Sequence, residues 1–243
     1  LKSLNTYLLR QAIREADQVV AFSHFSRDLI MKGINNTCAN KIKVISPGVE
    51  SSWFEVERKP SSGSALLFWG RIEEEKGLRE LFHALKTVSK KIKDVSLTIV
   101  GEGNRLREYK SLVADLSLTD RVEFTGWLCS TKIQNLTARS SLGIFPSRVE
   151  SFGLSVVEAM GAGLPVIAAS GGAVPENIEQ GVTGTLVPVN DADALARAII
   201  FILENVQHAE SMAKAAKIVV QQKFTWDKAA NKMIDLYELH SDM

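Results

Sequence analysis

The sequence predicts a doubly wound α/β fold, in which helices cover both faces of a mostly parallel sheet. From Ala65 onward, short runs rich in β-branched residues alternate with stretches of helical periodicity. The predicted strands are almost continuously apolar, which is typical of parallel strands that are buried on both faces. Four of these strands run directly into a loop that carries glycine. In such folds the ligand binds at the carboxyl ends of the strands, so these loops are the first place to look for a site.

Six strands, with helices between them, are predicted after residue 64. The strands are expected at ALLFWG (65–70), VSLTIVG (95–101), RVEFTG (121–126), LGIFPS (142–147), PVIAAS (165–170) and TGTLVPV (183–189). Helices are expected over 78–92, 106–116 and 132–141, from Gly153 or Leu154 to Ala162, near 175–180, and after an N-cap at Asn190 or Asp191. The apolar face of the first helix consists of Leu78, Leu81, Phe82, Leu85, Val88 and Ile92. The second helix is expected to bury Leu106, Leu112, Val113 and Leu116.

The first 60 residues indicate a piece of a different sheet. QVVAFS (18–23), a helix near 25–33 and KIKVIS (41–46) predict one β-α-β unit, and the opening residues read as a helix. The stretch from 46 to 64 is polar and rich in turn residues, which predicts a linker. The C-terminal part reads as helical over 208–222 and again from Thr225. We therefore divide the chain into residues 1–60, 61–224 and 225–243.

Composition excludes several classes of protein. Apolar residues make up 45% of the 243 and charged residues 23%, which is close to the globular average. The net charge of +1 gives no electrostatic reason to expect nucleic acid as a partner. The two cysteines fit a reducing compartment such as the cytoplasm, and neither has a metal-binding neighbour at useful spacing. No apolar run reaches the roughly 18 residues of a membrane-spanning helix. The chain has no initiating Met and opens in what reads as mid-helix, so we expect a fragment of a longer protein.

Two glutamates flank a glycine turn in RVESFGLSVVEAMGAG (148–163). The turn follows a predicted strand, and a helix is expected to begin at Gly153 or Leu154. The amides at a helix start lack intrahelical partners and carry positive partial charge, and glycine lets a ligand approach them closely. Glu150 precedes this turn and Glu158 lies one turn into the helix, so the two carboxylates would flank a ligand with hydroxyl groups. The alternative is that Glu158 only complements the helix dipole and that Glu150 is a surface charge.

A second candidate loop is GRIEEEKG (70–77), which also follows a strand. Arg71 and Lys76 lie at a strand's carboxyl end, where an arginine fork and a lysine charge can together neutralise a diphosphate. The three glutamates between them make the loop net negative, so the two cations would need specific roles. A solvated turn is the alternative.

Two more glycine loops are expected at the same edge of the sheet. IVGEGNRL (99–106) resembles half of a dinucleotide-binding motif, but Leu106 stands where the third glycine would be, which favours a tight turn. GGAVPEN (171–177) follows another predicted strand. The four histidines form no cluster, and only His24, at the end of a predicted strand, is placed to face a cleft. Trp69 and the other three tryptophans form no stripe and are expected in the core or at an interface.

These motifs together resemble the retaining glycosyltransferases of family four. The resemblance covers essentially the whole chain and is strongest in the E-x7-E signature, Glu150 to Glu158, and in the Arg-x4-Lys element, Arg71 to Lys76. The segments that carry it are ESFGLSVVE, AMGAGLPVIA, GRIEEEKG, VGEGNRLREYKSL, RVEFTGWL, SGGAVPENIEQGVTGTLV and ADQVVAFSHFSRDLI.

The resemblance implies the glycosyltransferase B fold, in which two Rossmann-like domains face each other across the active site. It implies a hexosyltransferase type of enzyme with catalytic roles for three residues: Arg71 and Lys76 hold the diphosphate and stabilise the leaving nucleotide, and Glu150 contacts the donor sugar. Glu158 binds ribose hydroxyls, and the segment from Gly126 to Lys132 lines the base pocket. The other implied donor-binding residues are Gly70, Gly103, Trp127, Leu128, Lys132, Phe152, Gly153 and Leu154.

The implied donor is a sugar linked to UDP, GDP or ADP, and the implied acceptor is a glycan or a lipid. No cofactor and no metal is expected, since two cations take over the charge of the leaving group. Residues 61–224 resemble the donor-binding domain. Residues 1–60 resemble only the last unit and linker of the N-terminal acceptor domain, and residues 225–243 resemble the helix that crosses back onto it. Association with the inner face of a membrane would depend on the missing domain.

One departure from the family pattern leaves the activity of this chain open. Nearly all of the acceptor domain is missing, and His24 does not match the histidine motif of the family. We therefore expect this chain to be inactive alone and competent only within a longer protein. The alternative is a sugar-nucleotide binding module without transfer activity. An epimerase or phosphorylase of related fold is less well supported, because no motif for a lysine-bound cofactor is found.

Overall fold

The computed structural model describes residues 2–34, 38–59 and 64–241. The strands of these residues are β1 (Val19–Ala21), β2 (Ile42–Val44), β3 (Ala65–Trp69), β4 (Ser96–Val100), β5 (Val122–Gly126), β6 (Leu142–Phe145), β7 (Val166–Ala169) and β8 (Thr185–Val187). The helices are α1 (Lys2–Glu15), α2 (His24–Gly33), α3 (Leu78–Lys91), α4 (Leu106–Asp115), α5 (Ser130–Arg139), α6 (Leu154–Gly161), α7 (Val174–Asn177), α8 (Ala192–Glu204), α9 (Val206–Lys223) and α10 (Trp226–Ser241). Most bounds lie within two residues of the predicted ones. Helix α7 ends three residues early because the backbone at Ile178 is extended.

Strands β3 to β8 form one parallel sheet in the order β5-β4-β3-β6-β7-β8. The chain first builds the sheet outward from β3 on one side, then returns to start the other side with β6. In doubly wound sheets, the loops after the two strands at such a reversal lead to opposite faces, and ligands bind in the crevice between them. The predicted doubly wound α/β fold is therefore confirmed, and the crevice lies between the loops 70–77 and 146–153.

Helix α3 attaches to the sheet by the apolar face that the sequence predicts. Its side chains at Leu78, Leu81, Phe82, Leu85 and Val88 are all fully buried. Burial of one such side chain contributes roughly 1.5–3 kcal/mol, so this stripe fixes the helix firmly on the sheet. The helix also packs against α8 and α4.

The buried face of α4 agrees with the prediction at Val113 and differs from it elsewhere. Tyr109 and Val113 are the buried residues of this helix, and Leu106, Leu112 and Leu116 are only partly buried. Tyr109 is turned inward because its ring packs edge-on against Phe82 of α3, at 5.8 Å between centroids. An aromatic pair of this geometry is worth about 0.5–1.5 kcal/mol beyond its buried area.

The N-terminal unit is the predicted β-α-β motif. Strands β1 and β2 are parallel neighbours, and α1 and α2 close a small apolar cluster over them. Helix α10, at the other end of the chain, lies against this unit: Ala229 and Leu236 form a cluster with Ile45, and Val20 packs against it. The last helix thus covers the first unit and not the large sheet.

Residues 49–58 are attached to the large core, although the polar composition predicts a linker. Val49 and Trp53 are buried in the main apolar cluster, and Trp53 stacks on Trp69 with the rings 7° from parallel and 5.6 Å apart. Single apolar residues among polar ones produce no periodicity, so this anchoring was not visible in the sequence. The predicted boundary between residues 60 and 61 lies outside the described residues.

Arg58 secures the same segment to two helix ends. Its Nη1 donates to the carbonyl of Gly163, just past α6, at 2.8 Å, and its Nη2 donates to the carbonyl of Ser140, the C-cap of α5, at 2.5 Å. Burial lowers the pKa of Arg58 to about 10, so the guanidinium stays charged at neutral pH. A positive charge at two helix C-termini complements both dipoles.

Candidate functional site

The candidate site is the edge of the sheet at which the strands end. Backbone hydrogen bonds join the glycine-bearing loops there: Arg148 N donates to Glu75 O at 2.7 Å, and Ile72 N donates to Glu102 O at 2.8 Å. Ala173 N, in the loop after β7, donates to Glu150 O at 2.9 Å. The four loops singled out from the sequence therefore form one continuous rim around the crevice.

Lys76 and Glu150 meet across the crevice. The Lys76 Nζ lies 2.6 Å from Glu150 Oε1, and the two side chains are only 15% and 16% exposed. Their loops approach closely because Gly77 adopts a left-handed φ of 68°, and a Cβ at that position would lie 2.0 Å from the carbonyl oxygen of Pro146. The structure thus brings one predicted cation and one predicted carboxylate together at the point where the strand order reverses.

Arg71 is not part of this contact. Its side chain is 72% exposed and pairs with Glu75 at 3.1 Å on the same loop. The guanidinium therefore lies at the rim and is not buried beside Glu150.

Two of the three glutamates in the loop 70–77 have partners in other loops. Glu74 pairs with Arg148 at 3.2 Å and with Arg105 at 2.7 Å. The hydrogen bond from Arg148, together with the charge of Arg105, lowers the pKa of Glu74 below its usual range. Glu73 accepts a hydrogen bond from the Asn104 amide. Arginines from two neighbouring loops therefore offset the charge of Glu74, and Glu75 pairs with Arg71 within the loop.

Helix α6 begins beside the ion pair, at the residue that the sequence predicts. Gly153, its N-cap, has a left-handed φ of 88°, and Leu154 starts the helix with its side chain 43% exposed. Phe152 is buried, and its carbonyl accepts a hydrogen bond from the Asn177 side chain at 2.5 Å. Asn177 and Phe152 thereby hold the turn in place. The first amides of α6, like those of any helix, have no partner within the helix.

Glu158 is partly buried and reaches the end of strand β3. Its Oε2 accepts a hydrogen bond of 3.0 Å from Trp69 Nε1, the last residue of β3. Burial is the main cause that raises the pKa of Glu158, and the nearby charge of Glu50 adds to it, whereas the indole bond lowers it. Trp69 was expected only as a core or interface residue. Its position directly before Gly70, at the carboxyl end of a strand, is the signal that could have identified it.

The remaining predicted donor residues lie along the same edge, toward β5. Gly103 is half-buried in the loop after β4. After β5, the Trp127 side chain is 71% exposed, Leu128 is half-buried and Lys132 is exposed on the first turn of α5. These residues offer an open aromatic surface and a cation, and among the described residues none of their side chains hydrogen-bonds to Lys76 or Glu150.

The N-terminal unit touches two walls of the crevice. The backbone amides of His24 and Phe25, at the start of α2, donate to the two carboxylate oxygens of Glu176 at 2.8 and 2.6 Å. The hydroxyls of Ser23 and Ser26 both donate to the carbonyl of Ser151, at 2.6 and 2.9 Å. Ser151 follows Glu150 directly, so these contacts reach the candidate site. The sequence carried no signal for them.

Three further observations concern the surroundings of the site and the chain as described. A cavity of about 740 Å³ lies at the opposite edge of the sheet, near Arg58, Lys214 and Lys217, and contains none of the predicted donor residues. In the described part of the chain, no three His, Cys, Asp or Glu side chains form a group suited to a metal ion. None of the described helices is long and apolar enough to cross a membrane.

Comparison with known proteins relates this arrangement to sugar-transferring enzymes. The sequence is 30% identical over 231 residues to glycogen synthase of Mycobacterium tuberculosis, and the aligned region covers 93% of this chain and 55% of that protein. It is 26% identical over 245 residues to the GDP-mannose-dependent alpha-(1-6)-phosphatidylinositol monomannoside mannosyltransferase of the same species, covering 94% of this chain and 63% of that protein. The chain thus spans less than two thirds of the length of these relatives.

The crystal structure of Anabaena Alr3699/HepE in complex with UDP superposes with a TM-score of 0.86 at 25% identity. The superposition covers 96% of this chain and 68% of that chain. Sucrose-phosphate synthase from Thermosynechococcus elongatus superposes with a TM-score of 0.85 at 26% identity, over 99% of this chain and 63% of that one. The fold is therefore that of the glycosyltransferase B type, as the resemblance implied. The sequence profile of the Glycosyl transferases group 1 family matches residues 49–219, which contain the whole crevice, and the chain belongs to this family.

Proposed function

We propose that this chain is the donor-binding part of a retaining glycosyltransferase of the family-four type. A nucleotide-diphosphate sugar lies in the crevice between the loops 70–77 and 146–153, and a longer protein transfers its sugar to a glycan or lipid acceptor with retention. The observation that carries the proposal is the contact of Lys76 with Glu150, 2.6 Å apart and largely shielded from water at the reversal of strand order. The names of the relatives support a sugar nucleotide, and the neighbouring Anabaena structures hold UDP and UDP-glucose.

Lys76 and Arg71 bind the diphosphate in this proposal. The Lys76 ammonium has three donors, of which one reaches Glu150, so the others are available for phosphate oxygens. Arg71, on the exposed rim, exchanges its contact with Glu75 for the phosphate. Donors that already face the diphosphate stabilise the negative charge that grows on it as the sugar leaves. We propose that these two cations make a metal ion unnecessary.

Glu150 and the start of α6 hold the donor sugar. The Glu150 carboxylate, fixed by Lys76, accepts hydrogen bonds from sugar hydroxyls, and the backbone of Phe152, Gly153 and Leu154 faces the sugar and phosphate. A helix start with glycine at its N-cap favours negative charge close to the backbone. Glu158 accepts from the ribose hydroxyls, and Trp127, Leu128 and Lys132 line the base pocket with Gly103.

Binding of UDP, GDP and ADP, measured by calorimetry with EDTA present, tests the proposal. We expect the chain to bind at least one of them and to transfer no sugar alone. Arg71→Ala combined with Lys76→Ala should weaken binding at least about 100-fold, because hydrogen bonds to charged groups are worth roughly 1.5–3 kcal/mol each. Lys214→Ala combined with Lys217→Ala removes the same charge at the opposite edge and should leave affinity unchanged.

Absence of binding by a folded sample, or equal affinities in the two double variants, would refute the site. Transfer by the longer protein, with the anomeric configuration of its product followed by NMR, separates an enzyme from a binding module. A longer protein that binds the nucleotide but transfers nothing would favour the module.

A further inference from the structure

The Trp69 indole is held by two buried aromatic rings at the carboxyl end of β3. Its ring is 5% exposed and is stacked on Trp53 at 5.6 Å. Phe145, also buried, packs against it edge-on, with the ring planes 85° apart and the centroids 4.9 Å apart. Aromatic neighbours on a face and an edge prevent the ring from turning, so the direction of its N–H group is set by the core.

That N–H group meets the Glu158 carboxylate. Trp69 Nε1 donates to Glu158 Oε2 at 3.0 Å, across 89 positions of sequence. An indole nitrogen only donates, so its partner must be an acceptor. One carboxylate oxygen is thereby held in place, which restricts the orientations open to the other oxygen, Oε1. Trp69 is also the residue before Gly70, so the bond lies at the root of the loop that carries Arg71 and Lys76.

We infer that Trp69 is a positioning residue, which orients the Glu158 carboxylate so that its Oε1 accepts hydrogen bonds from the vicinal hydroxyls of a nucleotide ribose. The inference rests on the proposed function and adds a residue to it. A free carboxylate on a helix would sample several rotamers, and the ligand would have to select one of them. An acceptor that is already aligned avoids that loss of side-chain freedom on binding.

The charges at the two ends of the crevice favour one orientation of a bound nucleotide. Glu158 carries its negative charge in a shielded position, with Glu50 as a second negative group nearby. Hydroxyl donors are attracted to this end, and phosphate is repelled from it. Lys76 attracts phosphate at the other end. The ribose end of a nucleotide is therefore selected at Glu158 and the diphosphate end at Lys76.

The test is binding of two ligands to two tryptophan variants. Trp69→Phe removes the N–H group and keeps an aromatic ring, whereas Trp53→Phe makes the same change in the stacked partner and leaves the bond to Glu158 intact. The probes are the nucleoside diphosphate that binds in the titration of UDP, GDP and ADP, and its 2′,3′-dideoxy analogue. We expect Trp69→Phe to weaken binding of the nucleoside diphosphate at least about tenfold. Binding of the dideoxy analogue should weaken by less than twofold. Trp53→Phe should leave both affinities close to those of the unchanged chain.

The pH dependence of nucleotide affinity distinguishes loss of the indole hydrogen bond from loss of core packing, because loss of packing alone would not shift it. The indole bond lowers the pKa of Glu158, against burial and the charge of Glu50, which raise it. Without the bond, the carboxylate becomes protonated at a higher pH. The acid limb of the affinity profile is therefore expected to shift to higher pH in Trp69→Phe and to stay in place in Trp53→Phe.

NMR of the unchanged chain keeps the inference testable if Trp69→Phe does not fold. The indole N–H resonance of Trp69 should move with pH as Glu158 ionises, and this movement should vanish in Glu158→Gln. Three outcomes would each overturn the inference. Trp69→Phe could lose affinity equally for both ligands, or keep its affinity for the ribose-bearing one. The Trp69 resonance could also show the same pH dependence in Glu158→Gln as in the unchanged chain. Failure of the unchanged chain to bind any nucleotide would instead refute the proposed function.

Discussion

Replacing Gly77 by alanine tests how closely the two walls of the crevice pack. Gly77 has φ of 68°, and an L-residue in this left-handed region costs about 1–2 kcal/mol. The new Cβ would also lie 2.0 Å from the carbonyl oxygen and 2.8 Å from the carbonyl carbon of Pro146, so the loops must separate by more than an ångström. Overpacking of this kind costs about 1–3 kcal/mol more. At a total of about 3 kcal/mol, we expect the Tm to fall by roughly 6–12 °C for a chain of this length.

Gly181→Ala is the matched control for this experiment. Gly181 has nearly the same conformation, with φ of 74°, but an added Cβ would meet no atom within 4 Å. It therefore incurs only the backbone cost. The difference in Tm between the two variants, measured by circular dichroism, isolates the contact with Pro146, and calorimetry should show that only Gly77→Ala loses nucleotide affinity. Equal Tm values would show that the walls of the crevice do not meet at this point.

Two further substitutions test the energetics of buried charges. Burial raises the pKa of Glu158, so its ionised form costs folding free energy at neutral pH and this cost disappears as the pH falls through that raised pKa. Glu158→Gln should therefore raise the Tm at neutral pH, with the gain shrinking toward the ordinary pKa of glutamate, and thermal scans across pH that show no gain would contradict this. Arg58→Met removes charged donors from two carbonyls and should lower the free energy of unfolding by about 2–4 kcal/mol in urea. The exposed Lys59→Met should stay within about 0.5 kcal/mol, and a similar loss in both variants would disprove the role of Arg58.

The strands and the start of α6 were predictable because their signals are local. Runs such as LGIFPS identify buried strands by composition, and a turn followed by an apolar period identifies the helix that begins at Leu154. The shared edge of the glycine loops then follows from the geometry of parallel strands.

The pairings within that edge were not predictable. Lys76 and Glu150 are 74 positions apart, and Trp69 and Glu158 are 89 apart. Nothing local distinguishes them from other charged or aromatic residues. The position of Arg71 was equally unpredictable. Its spacing from Lys76 suggests that the two cations have equal roles, but Arg71 pairs with Glu75 at the exposed rim. Which partner a side chain finds is decided by the packing of loops, and that information is distributed over the whole chain.

The hydrogen bonds from α2 to Glu176 and from two serines to Ser151 have a mechanical consequence. A tilt of the small first unit would strain both bonds to Glu176 together and would pull on the peptide next to Glu150. The first unit and the turn after Glu150 are thus mechanically coupled through the Ser151 carbonyl.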